Sequence, residues 1–259
     1  MNDLKSKELL VLDMDGTFYL ENTLIDGARE LLEEIGRKGK RFLFFTNNSS
    51  KAMDDYIQKL SDLGVQANRD SLFSSGDVTI GYLKRHCPGQ KIYLIGTRML
   101  KRGFEKEGII LTEEDPDGVV LGFDTELTYE KIYKGCTFIR NGAFFIATHP
   151  DVNCPVKNGL MPDCGSMIKM FTESTGKVPL VMGKPSRHTV EAIEEKTGVG
   201  RDKMVFVGDR LETDIAIGTD NGAMSVLVLT GATDRALLDR SSIRPDLVRD
   251  SVKDLIPLL

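Results

Sequence analysis

The sequence is poor in cysteine, carries no excess of positive charge and has no long apolar run, and each shortage removes a class of protein. Its four cysteines (Cys87, Cys136, Cys154 and Cys164) contain no CxxC pair and no zinc-like spacing. Reduced thiols in a cytoplasmic protein are the simplest reading. No run approaches the ~20 apolar residues of a membrane-spanning helix. The stretch Leu9–Leu12 is too short for the hydrophobic region of a signal peptide, and Asp13 and Asp15 interrupt it. Lys and Arg number 34 against 39 Asp and Glu, for a net charge of -5, whereas a nucleic-acid binder shows a basic patch or stripe. Neither a membrane nor a nucleic acid is therefore expected as partner. An anionic substrate would need a locally positive pocket inside an acidic protein.

What is present is an ordinary globular composition, 41% hydrophobic and 28% charged over 259 residues, enough for one large domain or two smaller ones. Short β-rich apolar runs alternate with longer amphipathic ones, the pattern of a parallel sheet flanked by helices. Strands are expected at Glu8–Leu12, Arg41–Phe45, Lys91–Ile95, Val119–Leu121, Phe144–Ala147, Leu180–Met182, Met204–Val207 and Ser225–Leu229. Helices are expected near Gly27–Lys38, Lys51–Leu63, Asp77–Arg85, Tyr129–Arg140, Met167–Ser174, Ser186–Thr197 and Glu212–Asp220. Four segments (LLVLDMDGT, FLFFTNN, VMGKPS and VFVGDR) each follow an apolar strand with polar or glycine residues, at the strand ends where open α/β sheets bind ligands. The strand–helix patterns between the second and third of them contribute nothing of this kind. Residues 1–77 and 182–259 thus read as a core domain, and 78–181 as an inserted α/β domain.

Asp13 and Asp15 sit two apart at a strand end, before Gly16 and Thr17. Carboxylates this close repel, so they need a cation or a shared proton. Mg2+, a hard cation that takes one or two carboxylates together with substrate phosphate, meets the need; solvated acids in a turn are the bland alternative. Thr46, Asn47 and Asn48 offer a hydroxyl and backbone N–H groups to an anion at a helix start, or simply cap that helix. Lys184, before a proline suited to a first helical turn, can offset the acids and bind a phosphate oxygen, or lie on the surface. Asp209 stands at a strand tip and suits a metal ligand. Asp214, one turn later, is placed to return toward the same end and hold a metal-bound water; turn acids with an N-cap are the bland alternative for both.

Each motif alone is weak, but the order DxDGT, TNN, GKP, GDxxxxD at successive strand tips resembles the haloacid dehalogenase superfamily. The inserted segment and the phrases FFTNNSS, LGFD, ATHPD and GDRLETD look like its class IIA, NagD or p-nitrophenylphosphatase-like branch. The resemblance implies a Rossmann-like parallel-sheet core with an α/β cap and a Mg2+-dependent phosphatase of small phosphorylated metabolites. By the same resemblance Asp13 is the nucleophile, Asp15 the general acid/base, and Thr46 and Lys184 bind the phosphate. Mg2+ is held by the Asp13 side chain, the Asp15 backbone carbonyl and Asp209, with Asp214 behind. A homodimer through the cap is compatible with it. Two other functions remain open: a phosphotransferase using the same intermediate, and a phosphometabolite sensor on a retired enzyme scaffold.

The cap stretch Thr148–Met167 is rich in Pro, Gly, Asn and Asp, reads as loop, and is the best candidate to recognise the leaving group, the alternative being that it merely packs on the core. His149 within it is either a substrate contact or a satisfied structural histidine. Phe18 and Tyr19 either form a flap over the site or pack. Cys154 and Cys164 read as plain small residues.

Overall fold

In the computed structural model, residues 3–51, 53–156 and 159–259 are described. The chain divides into two compact units. The first comprises Met1–Thr46, Ile57–Phe73 and Lys184–Leu259; the second comprises Asn47–Tyr56 and Ser74–Gly183.

The first unit is a sheet whose central strands are buried from end to end. β1 (Leu9–Leu12) is apolar at every position and covered on both faces, as a parallel strand between helical layers must be. A small hairpin, β2 (Tyr19–Leu20) and β3 (Thr23–Leu24), follows it. Next comes α1 (Ala28–Arg37), which buries Ala28, Leu31 and Ile35 along one stripe. The chain re-enters the sheet as β4 (Arg41–Thr46), runs through α2 (Met53–Asp62), and returns as β5 (Leu72–Ser74).

Ser74 then caps α3 (Ser75–His86) in a reciprocal box with Asp77, and the second unit follows. Its strands are β6 (Lys91–Ile95), β7 (Ile110–Leu111), β8 (Gly118–Leu121), β9 (Phe144–Ala147) and, after an exposed hairpin of β10 (Asn153–Val156) and β11 (Gly159–Pro162), β12 (Leu180–Val181). Among the described residues the sheet order is β12-β9-β8-β6-β7, with parallel pairing throughout. The helices α4 (Arg98–Lys106), α5 (Tyr129–Arg140) and α6 (Cys164–Thr175) complete this unit, the last two packing Cys136, Ile139, Met167 and Phe171 into its core.

The first unit resumes with α7 (Arg187–Thr197), β13 (Met204–Gly208), α8 (Ala216–Asn221), β14 (Met224–Val228), α9 (Arg235–Arg240) and β15 (Leu247–Arg249). The sheet order is β15-β14-β13-β1-β4-β5. β1 lies parallel to β4 on one side and to β13 on the other, so three of the chemically loaded strand ends stand side by side. No helix among the described residues is long and apolar enough to cross a membrane.

The structure departs from the sequence reading in several places. The stretch Thr148–Met167 is not all loop: it contains the antiparallel hairpin β10–β11, in the register Asn153↔Pro162 and Cys154↔Met161. Both strands are largely exposed, so no apolar alternation marks them, and Pro155 and Pro162 disguise them further. Positions 157 and 158 of that stretch, and 52 of the expected helix Lys51–Leu63, lie outside the described residues. α4 was not expected because RMLKRGFEK is polar and buries only Leu100 and Phe104. Ser186, not Pro185, stands at the start of α7, where its hydroxyl caps the helix by accepting from the His188 N–H.

Candidate active site

Asp13 follows β1 directly and its N–H donates to Val207 O of β13 at 2.9 Å, which pins the strand end against its neighbour. The chain then winds tightly, the N–H groups of Thr17, Phe18 and Tyr19 all pointing at Met14 O at 3.3, 2.9 and 3.1 Å. Gly16 makes the turn at φ +88°, where side-chain-bearing residues are strained. A β-carbon there would also lie 2.5 Å from Asp209 Oδ2. Glycine is thus required twice over, once for the turn and once to admit a carboxylate.

Asp209 arrives from the tip of β13. Its Oδ2 accepts the Ala232 N–H at 2.6 Å, and its Oδ1 accepts the Thr17 hydroxyl at 3.4 Å. Asp214 lies in a π-type turn, Leu211–Ile215, rather than in the regular helix expected there. The wider turn carries it back so that its Oδ2 accepts the Arg210 N–H at 3.1 Å and its carboxylate packs on Gly208, where a β-carbon would collide with it. Lys184, only 3% exposed, completes the cluster: its Nζ lies 2.7 Å from Asp13 Oδ1 and 2.6 Å from Asp214 Oδ1. Asp13, Asp209, Asp214 and Lys184, separated by up to about three-quarters of the sequence, are therefore brought together at one end of the sheet.

Three acids around one lysine leave the cluster net negative, and the acidities respond. Burial holds the Asp13 carboxyl well above the usual carboxylate range; Lys184 opposes this, while Asp214 and Asp209 add to it. Burial, and then the charge of Asp214, push Asp209 up to about 6 against the pull of the Ala232 N–H. For Lys184, burial favours the neutral amine, but Asp13 and Asp214 outweigh it and the group is held more firmly protonated than usual. One ligand oxygen from each of Asp13, Asp209 and Asp214 falls within 4.8 Å of the others. This is an all-oxygen donor set of the kind a hard divalent cation takes, and the missing β-carbon of Gly16 leaves the approach to Asp209 clear. The residues fit Mg2+.

Asp15 differs from these acids in its surroundings. Its side chain is 62% exposed, with Oδ2 accepting the Tyr19 hydroxyl at 3.3 Å. Tyr19 and Phe18 are fully buried, so of the two roles open to them the structure gives packing, with only the Tyr19 hydroxyl reaching the acid. Thr46, buried at the end of β4, closes the first unit's share of the second motif.

Asn47, Asn48 and His149 belong to the second unit. Asn48 Oδ1 accepts from Ser50 N–H at 2.9 Å and the Ser50 hydroxyl at 2.7 Å, closing a local turn. Asn47 donates its side-chain amide to Asp151 Oδ1 at 3.3 Å, and its carbonyl accepts the Ser75 hydroxyl at 2.5 Å. His149 is wholly buried, with Nε2 2.9 Å from Asp163 Oδ1 and Nδ1 2.9 Å from Thr148 Oγ1. Asp163 Oδ1 also caps α6 by accepting the Cys164 N–H. Both ring nitrogens are engaged, so of the two roles open to His149 the structure gives the structural one. Burial pushes the Cys164 thiol up to about 12, which leaves it an inert small residue, as read from the sequence.

A haloacid dehalogenase-like hydrolase model matches residues 10–110, and a HAD-hydrolase-like model matches residues 181–255. The chain belongs to the haloacid dehalogenase-like hydrolases. It is 32% identical over 256 residues to the 5'-nucleotidase YutF of Bacillus subtilis, covering 99% of this chain and 100% of that one. It is also 32% identical to an acid sugar phosphatase of Staphylococcus aureus, covering 97% and 96%. Among solved structures, a 4-nitrophenylphosphatase from Thermotoga maritima superposes with a TM-score of 0.95 at 46% identity, over 98% of each chain. Within the superfamily it therefore falls in the NagD and p-nitrophenylphosphatase branch, among the phosphoric monoester hydrolases. Residues that escaped the sequence reading are Thr17, the Gly231–Ala232 turn and Lys59. Thr17 closes the DxDGT motif but was given no role there, the other two lie in no recognisable motif, and only their placement beside Asp209 and Asp15 marks them.

Proposed function

We propose that this hydrolase is a Mg2+-dependent phosphatase of small phosphomonoesters, such as sugar phosphates or nucleotides, acting through a phosphoaspartate on Asp13. One observation carries the reading: a single buried lysine bridges the carboxylates of Asp13 and Asp214, while Asp15 on the same turn holds its carboxylate toward solvent. Two acids so close in sequence and so different in surroundings are suited to different work.

Asp13 attacks phosphorus, the bond from phosphorus to the leaving oxygen breaks, and Asp15 gives that oxygen a proton. Water then attacks the phosphoaspartate, Asp15 takes a proton from it, and the bond to Asp13 breaks to release inorganic phosphate. Covalent catalysis thus splits one hard displacement into two easier ones, and acid/base help of this kind contributes typically ~10²–10⁴ in rate. Lys184, firmly protonated, fixes the Asp13 carboxylate and stands ready to stabilise phosphoryl charge. Mg2+ would be held by the Asp13 and Asp209 carboxylates and the Asp15 carbonyl with Asp214 behind, and when bound supplies positive charge between phosphate and acids.

The test uses radiolabelled phosphomonoester and acid quench. Asp13→Asn is expected to take up no label. Asp15→Asn, given p-nitrophenyl phosphate whose leaving group needs no proton, is expected to accumulate label on Asp13. Label on another residue, wild-type rates in either variant, or full activity after verified metal removal would overturn the proposal.

A further inference from the structure

We propose that Lys59 and Tyr19 are positioning residues for the carboxylate of Asp15, one for each of its oxygens. The inference rests on the reading of Asp15 as general acid and base. Lys59 lies in the second half of α2, and its Nζ stands 3.7 Å from Asp15 Oδ1. Tyr19 opens β2, and its hydroxyl donates to Asp15 Oδ2 at 3.3 Å. The same lysine ammonium sits 3.8 Å from the centroid of the Tyr19 ring, well inside cation–π range. Carboxylate, phenol and ammonium thus form a closed triangle in which each member holds the other two.

The anchor of the triangle is rigid. Tyr19 has no exposed surface; its N–H donates to Met14 O at 3.1 Å, its carbonyl accepts the Gly16 N–H at 2.9 Å, and it pairs with Leu24 across the hairpin. The phenol is therefore presented at a fixed place relative to the turn that carries Asp15. Asp15 itself, 62% exposed, would otherwise turn through its rotamers in water. An exposed ion pair adds little to stability, so the triangle does not owe its place to folding. Its effect falls on rate, because proton transfer demands hydrogen-bond reach and a displacement of about 1 Å can lower turnover by ~10²-fold.

The experiment compares Lys59→Met, Lys59→Arg, Tyr19→Phe and Asp15→Asn with the wild type, on p-nitrophenyl phosphate and on an alkyl phosphate. kcat, KM, melting temperature and acid-stable label on the protein are measured for each. Lys59→Met and Tyr19→Phe are expected to lose roughly tenfold in kcat on the alkyl phosphate, with KM within about twofold of wild type and the melting temperature unmoved. Both are expected to carry more label in steady state on p-nitrophenyl phosphate, because the hydrolysis that follows needs Asp15 as base. Lys59→Arg, which keeps the cation, is expected to recover most of the rate. Wild-type kcat in both variants overturns the proposal. So does a raised KM at unchanged kcat, which would make Lys59 a substrate contact, and so does a lower kcat with no added label and no rescue by arginine. A crippled Asp15→Asn beside a normal Lys59→Met would sink the positioning role alone; an Asp15→Asn enzyme with wild-type turnover would sink the acid/base reading as well.

Discussion

Replacing Asp209 by asparagine is expected to destroy activity and yet make the metal-free protein more stable at neutral pH. Asp209 is 2% exposed, and its carboxyl rises to about 6 from roughly 3.9 in an unfolded chain. A shift of about two units at ~1.4 kcal/mol each is on the order of 3 kcal/mol. The sign follows from proton counting. Between pH 4 and 6 the folded state keeps a proton that the unfolded state has shed, so stability falls as pH rises through that window and the deficit is complete above it. Asparagine carries no charge at any pH; its carbonyl oxygen can still accept the Ala232 N–H, and its NH2 can donate to the Thr17 hydroxyl, which rotates to accept. In EDTA at pH 7.5 the variant is expected to melt above wild type by roughly 6–12 °C, at ~2–4 °C per kcal/mol for a chain of this size. At pH 4.5 the gap should shrink to about a third. Adding Mg2+ at pH 7.5 should raise the wild type alone, because only there does the cation meet the full acid set. Fluorimetric melting of both proteins at the two pH values, with and without metal, decides the matter. An Asp209→Asn protein less stable than wild type at pH 7.5, or a gap that does not change with pH, would refute the electrostatic account of the cluster.

Gly16→Ala meets both the strained φ and the Asp209 carboxylate 2.5 Å away; a loss of about 1–2 kcal/mol in urea unfolding and a weakened apparent Mg2+ affinity are expected, and an unchanged affinity would show that the turn has room to spare. His149→Ala strips partners from Asp163 and Thr148 inside the second unit and is expected to lower stability by about 1–3 kcal/mol, with no change in the ratio of kcat/KM between p-nitrophenyl phosphate and a metabolite phosphate. Asp151→Ala, by contrast, should shift that ratio about tenfold if the stretch Thr148–Met167 reads the leaving group; equal losses on both substrates would place specificity elsewhere.

What could be read from the sequence was whatever burial and chain direction write into it. β1, β13 and β14 are buried at every position and β4 over its last four, so their runs are nearly continuous and their ends conspicuous. Asp13 and Asp209 stand just beyond such ends, whereas Lys184 follows only the short, partly exposed β12 of the second unit; the order of the four motifs brought the lysine to the acids on paper. The hairpin β10–β11 escaped because an exposed ribbon leaves no apolar alternation. Lys59 escaped for a different reason: a lysine on an amphipathic helix looks like any solvated one, and only the fold sets its ammonium against Tyr19 and Asp15. The π-type turn at Leu211–Ile215 could not be foreseen either, since such single turns carry no distinctive residue pattern and interrupt what otherwise reads as a helix.

The pairing of β1 with strands on either side has a consequence for how the protein comes to life after synthesis. β1 meets β4 about 30 residues on in the chain, and β13 meets β14 after about 20, so both partial sheets close short loops. The seam between β1 and β13 joins segments 192 positions apart, as Thr17 and Asp209 are, and closing it carries the largest entropic barrier in the core sheet. The catalytic acids sit on that seam. In refolding from denaturant, helical signal should therefore return before turnover does, and turnover should appear in a single phase, with no partly active species on the way.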